Sequence, residues 1–140
     1  MYSEVYAANR GDIMEEVALI AGKGKLPYYW AKVAAKENKK PYIFKIAEED
    51  TVKLQKYAKK VFEISLGNFN ELIESLLKYN IKKVVFAGKV EKNKLFKLEI
   101  DQRLKKVLAA LDNYNDDTIL RAIAAEFEAE GIEVLAQSGE

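Results

Sequence analysis

Short apolar runs alternate with segments of helical spacing along most of this chain, and that alternation leaves few folds open. Val17 to Ala21 and Val84 to Ala87 contain no polar residue and are too short for helices, as expected of strands buried on both faces. Pro41 to Ile46 makes another strand, with proline confined to its start. Val61 to Leu66 and Ile132 to Leu135 supply two more. Between them, Pro27 sits where the first turn of a helix tolerates a missing N–H, and Trp30, Val33 and Ala34 share a face. A short helix capped by Asp50 or Thr51 runs through Tyr57.

Asn68 with Glu71 reads as a capping box ahead of Phe69, Leu72, Ile73, Leu76 and Leu77, and Asn80 as a left-handed stop. Ile100, Leu104, Val107, Leu108 and Leu111 form one further helical stripe. Ile119, Leu120, Ile123 and Phe127 form the last, on a helix from about Asp117 that Gly131 ends at C′. Strands alternating with helices pair in parallel, so the expected fold is α/β: three layers around a mainly parallel five-stranded sheet of order 3-2-1-4-5. That order makes the first and fourth strands neighbours at the reversal point, where ligands of such sheets bind beyond the carboxyl ends. Ala21-Gly22 and Ala87-Gly88 are then expected to face one crevice.

Composition narrows the chemistry. The 140 residues contain no histidine and no cysteine, which excludes serine-histidine triads, thiol nucleophiles, the usual zinc sites and disulfides. A bound metal would have to be a hard, oxygen-liganded ion such as Mg²⁺. With 23 basic and 22 acidic residues the formal charge is +1, so no overall field recruits nucleic acid. No apolar run approaches the roughly 20 residues of a membrane-spanning helix. The absence of a signal-peptide pattern points to the cytoplasm. Residues 1–13 read as a tail or extension ahead of the domain at 14–140, with Met14 as an alternative start.

Gly22-Lys23-Gly24-Lys25 has two readings. Glycines at a helix N-terminus let backbone N–H groups approach an anion, with a lysine adding charge. The same glycines also suit a plain strand-to-helix turn with solvated lysines. The spacing fits neither common phosphate fingerprint: no Ser or Thr follows a Gly-Lys pair, and Pro27 stands where a dinucleotide motif has its third glycine. Ala87-Gly88-Lys89 repeats the theme and carries the same two readings. Glu48, Glu49 and Asp50 lie where a ribose-binding acid would sit, but without a fingerprint they read as a solvated loop. Asn115, Asp116 and Asp117 precede a helix and read as capping residues or hard-cation ligands, with Arg121 one turn on as an ion-pair partner. Leu95-Phe96-Lys97-Leu98 is apolar within a lysine-rich connection, so it either tucks under a loop or lines an apolar ligand's path.

Three stretches in order, LIAGKGKLP (Leu19 to Pro27), VVFAGKV (Val84 to Val90) and DDTILRAIAAEFEAEGIEV (Asp116 to Val134), resemble a known family. It is the UDP-2,3-diacylglucosamine pyrophosphatase family of lipid A biosynthesis, in its two-domain, Mg²⁺-dependent branch. The likeness runs from about Val17 to Leu135 and falls on the family's N-terminal domain. It implies a Rossmann-like domain from a hydrolase that releases UMP and lipid X, with the lipid held between this domain and a C-terminal catalytic one. Carried over, Gly22, Gly24, Lys25 and Leu26 on the first loop and Ala87, Gly88 and Lys89 on the second would contact the acylated UDP-sugar or lipid X. Leu135 is a weaker contact, and Asp116, Asp117 and Arg121 match an acidic-basic motif offering polar support.

Family members are about twice as long, so the resemblance places the catalytic acid and the principal Mg²⁺ site in a half outside this sequence. No residue here is expected to be catalytic or to bind the metal, and the chain alone is expected to be inactive. Asn115 stands where the family often has glycine. An acylated ligand is compatible with peripheral contact at the inner membrane and with oligomerisation. The alternative expectation is a stand-alone, non-catalytic module that binds a nucleotide or serves assembly.

Overall fold

The computed structural model describes residues 17–37, 40–47, 51–91, 95 and 99–138. Five strands, β1 (Val17–Ala21), β2 (Tyr42–Lys45), β3 (Lys60–Glu63), β4 (Lys83–Ala87) and β5 (Glu133–Ser138), form one sheet of order β3-β2-β1-β4-β5. All four pairings are parallel. The helices are α1 (Leu26–Lys36), α2 (Thr51–Gln55), α3 (Phe69–Lys78), α4 (Gln102–Ala109) and α5 (Asp116–Ala129).

β1 (VALIA) and β4 after its first residue (VVFA) are apolar because the centre of the sheet is covered on both faces. Ala18, Ile20, Val84 and Phe86 point into a core shared with α3, α4 and α5, where Phe69, Leu104 and Phe127 are buried. Leu19, Ala21, Val85 and Ala87 point the other way, toward Trp30, Ala31 and Ala34 of α1 and Leu54 of α2. This second layer is rich in alanine, so α1 approaches the sheet closely while Trp30 supplies the bulk.

Several boundaries differ from the sequence-based expectation. β3 stops at Glu63, because Ile64 and Leu66 bury their side chains from a turn in which the Gly67 N–H donates to Ser65 Oγ. β5 continues past Leu135 to Ser138, since its partner β4 offers backbone groups up to Ala87. Its register slips between Val84 and Val85, which pair with Val134 and Ala136, so Leu135 is the extra residue of a bulge.

Asn68 does not cap α3 through its side chain. Asp101, distant in sequence, does that work: Oδ2 accepts from Asn70 N–H at 2.7 Å, while Oδ1 accepts from Leu104 N–H at 2.9 Å and caps α4. One carboxylate thus satisfies orphan donors at two helix N-termini. Asn80 (φ 56°) and Gly131 (φ 83°) adopt the expected left-handed conformation after their helices. Asp50, offered as a cap for α2, lies outside the described residues, as do Glu48, Glu49 and residues 1–13.

Candidate functional site at the carboxyl edge of the sheet

The ends of β1 and β4 meet as the strand order requires, and they close on each other. Gly22 N–H donates to Ala87 O at 2.8 Å; Lys23 N–H donates to Lys89 O, and Lys89 N–H to Lys23 O, both at 2.9 Å. Glycine is needed for this approach. A Cβ on Gly22 would lie 2.6 Å from Lys89 O, and one on Gly88, whose φ is 95°, would lie 2.7 Å from the Gly22 carbonyl carbon. The N–H groups of Gly22, Lys23 and Lys89 are therefore spent inside the protein and are not offered to a ligand.

The expected single crevice is divided by this contact. On the α1 side, a cavity of about 470 Å³ is lined by Gly22, Gly24, Lys25, Tyr28, Tyr29 and Lys53, among others. Gly24 turns the chain with φ 111°, and Lys25 occupies the N-cap of α1 with no side-chain hydrogen bond closing that end. Pro27 falls in the first turn as expected. The uncapped first-turn N–H groups, the helix dipole and the ammonium groups of Lys25 and Lys53 make this wall electropositive. Tyr28 meets Tyr29 and Tyr57 edge-on at 5.7 and 5.6 Å, and Tyr29 keeps 49% of its surface exposed. Leu26 packs partly against the α1-side core.

On the other side, a cavity of about 390 Å³ opens at the ends of β2, β3 and β4. Lys89 lines this one, with Lys45, Glu63, Ser65 and Glu91. Lys45 is only 9% exposed, and its Nζ lies 2.7 Å from Glu63 Oε1, across the register that pairs the two residues. Lys23 reaches toward Glu91 at 3.5 Å. Lys45 and Glu63 escape sequence reasoning because each reads as an ordinary strand residue. Only the parallel register brings them together. Leu95 is buried and lines this cavity, whereas Phe96, Lys97 and Leu98 lie outside the described residues.

Two groups of expected site residues lie apart from both cavities. Leu135, placed by the sequence at the exit from the last strand, instead sits within β5 opposite the middle of β4 and packs on the α1-side core. Asp116, Asp117 and Arg121 line neither cavity. Asn115 is the N-cap of α5 without a side-chain cap bond, and Asp117 Oδ2 accepts from Arg121 at 3.0 Å in an exposed pair one turn apart. Among the described residues no three carboxylates converge as metal ligands. No described helix is long and apolar enough to cross a membrane.

Comparison with known proteins follows the same boundaries. The family model described as the LpxI N-terminal domain matches residues 16–139. A curated relative, the UDP-2,3-diacylglucosamine pyrophosphatase LpxI of Caulobacter vibrioides, is 29% identical over 124 residues. The aligned segment covers 86% of this chain and 44% of that protein, so the chain spans less than half of the relative's length.

Proposed function

The chain belongs to the LpxI N-terminal domain family, and from that premise we propose that it is the substrate-binding half of a UDP-2,3-diacylglucosamine hydrolase acting in lipid A biosynthesis. The supporting observation is the α1-side cavity, where Gly24 and Lys25 hold an uncapped helix N-terminus open beside Lys53 and two tyrosines. Such a wall suits the phosphate of an acylated sugar phosphate, with backbone N–H groups as donors and lysines as screening charges. The tyrosine rings offer a partly exposed apolar surface to the adjoining sugar or acyl portion. The loop contact between Gly22-Lys23 and Gly88-Lys89 fixes where that helix begins, so the second loop acts by support rather than by its lysine charge.

The bond-breaking groups are proposed to lie outside this chain. Mg²⁺, expected from the family, finds no group of three carboxylates among the described residues. Cytoplasmic location, with the acyl chains drawn from the adjacent membrane leaflet, belongs to the same reading.

Titration of the 140-residue chain with lipid X, followed by amide NMR, tests the binding. Shifts centred on Gly24, Lys25 and Leu26 are expected; an unperturbed first turn of α1 at saturating lipid X would reject the assignment. UMP release from UDP-2,3-diacylglucosamine by the pure chain with Mg²⁺ would overturn its non-catalytic role.

A further inference from the structure

Charge is spread unevenly along the chain, although its sum is close to zero. Residues 22–60 hold eleven lysines against four acids, while the remaining residues carry twelve basic and eighteen acidic side chains. Three of those four acids, Glu48, Glu49 and Asp50, lie outside the described residues. The segment supplies the layer formed by α1 and α2, and neither helix contains an acid: their sequences are LPYYWAKVAAK and TVKLQ. Charge asymmetry of this kind within a nearly neutral chain marks a surface that meets an anionic partner.

Helical spacing concentrates that charge. Trp30, Ala31 and Ala34 form the side of α1 that is buried against the sheet. At about 3.6 residues per turn, Lys25, Tyr29, Lys32 and Lys36 fall on the opposite side, in a row about 16 Å long. Lys25, Tyr29 and Lys36 are exposed, as are Lys53 and Lys56 in and after the neighbouring α2. Lys25, Lys32, Lys36 and Lys53 form no ion pair among the described residues. Across the sheet the charges are mixed and partly paired: Arg103 holds Glu126 and Glu130, and Arg121 holds Asp117. The lysine layer is therefore the side that an anionic partner would meet.

Three features favour a lipid surface over a nucleic acid or a second protein. Every cation in the layer is a lysine, a compact point charge without the planar fork by which arginine grips phosphates and bases. Tyr29 stands within the row, and an exposed ring with a hydroxyl suits the depth of lipid headgroups. The mouth of the α1-side cavity opens among the same residues, Lys25, Tyr29 and Lys53, so an acylated ligand would enter from the surface the lysines meet. We infer that the outer face of α1, continued by Lys53 and Lys56, docks this domain on an anionic lipid bilayer. Tyr29 is the large hydrophobic residue exposed there among the described residues, so attachment is electrostatic and reversed by salt. Glu71, Asp117 and Glu128, exposed on the α3–α5 side, turn that side away from the same membrane. The inference rests on the proposed function only for the direction from which the ligand arrives.

Co-sedimentation of the 140-residue chain with vesicles of phosphatidylethanolamine and phosphatidylglycerol, and with vesicles of phosphatidylcholine alone, tests the docking. Binding to the anionic vesicles is expected at about 0.05 M salt, with release by about 0.5 M. A triple variant, Lys32→Gln with Lys36→Gln and Lys56→Gln, lies outside the cavity lining. It is expected to partition about 100-fold less well, at about five-fold for each lysine near an anionic surface. A second triple variant, Lys82→Gln with Lys105→Gln and Lys106→Gln, removes the same charge elsewhere and is expected to bind nearly as the parent does. A folded amide spectrum is the check on both. The inference is overturned if the chain ignores anionic vesicles at low salt, if it binds both kinds of vesicle equally, or if the two triple variants lose equally. It fails also if the lysine face binds polyuridylate RNA or a second copy of the chain while vesicles stay inert. Lipid X binding with inert vesicles would remove the docking face and leave the proposed function standing. Vesicle binding with no response to lipid X would do the reverse.

Discussion

Lys23 and Lys89 exchange two backbone hydrogen bonds, each N–H donating to the other's carbonyl oxygen at 2.9 Å. The bonded groups belong to the main chain, so the identity of the two lysines matters less than the glycines beside them. Gly22 and Gly88 leave the space in which one backbone lies against the other, and the contact stands between two cavities at the carboxyl edge of the sheet.

Gly88→Ala is expected to destabilise the protein more than Gly131→Ala. Both positions have positive φ, 95° and 83°, and the conformational strain alone costs about 1–3 kcal/mol. At Gly131 a Cβ meets nothing within 4 Å, whereas at Gly88 it would stand 2.7 Å from the Gly22 carbonyl carbon and 2.9 Å from Lys23 O, neither of which can swing aside. Urea denaturation midpoints compare the two variants directly, and equal losses would show that the loops separate without cost.

The parallel, doubly covered sheet was legible in the sequence because burial on both faces writes itself as uninterrupted apolar runs such as VALIA and VVFA, and the strand order was expected from the alternation of strands with helices. Asn80 and Gly131 were legible for a local reason, since each residue type favours the backbone conformation it adopts. The loop contact was only half visible: glycine marks a close approach but does not say what approaches. Lys45 and Glu63 were invisible, because their pairing depends on strand register rather than spacing. The Asn68 reading held for the N-cap position and failed for the side chain, as the local capping pattern lost to a carboxylate delivered from Asp101.

Asp101→Ala is accordingly expected to cost about 2 kcal/mol, near the upper end for a single cap, because α3 and α4 each lose an acceptor. Asn68→Ala should change stability by less than about 0.5 kcal/mol, its side chain making no cap bond. Thermal or urea unfolding of the two variants gives the comparison. The opposite ranking would mean that the local box, rather than Asp101, holds α3.

Lys45→Met tests what the buried ammonium contributes. Replacing a buried ionic side chain with an apolar one of similar length is often neutral for stability, so a change within about 1 kcal/mol is expected. Glu63→Ala leaves the Lys45 charge without its strand-end carboxylate, but Glu63 is 64% exposed and water screens the pair, which limits the loss to about 1 kcal/mol. If Lys45→Met were far more damaging than Glu63→Ala, the lysine would hold the fold rather than furnish a wall of the cavity.

The three lysines near the first loop should contribute unequally to binding an acylated sugar phosphate. Lys25 and Lys53 line the α1-side cavity, and removing either charge is expected to weaken lipid X binding by about two- to five-fold, corresponding to about 0.5–1 kcal/mol for an exposed charge. Lys23 lies toward Glu91 at 3.5 Å, so Lys23→Ala should leave the affinity nearly unchanged. Raising the salt concentration must narrow the difference, since screening acts on exposed charges over about 10 Å at 0.1 M. Calorimetric titrations of the three variants at two ionic strengths read this out. Equal losses at all three positions would mean that the general charge of the loop, rather than the cavity at the start of α1, attracts the ligand.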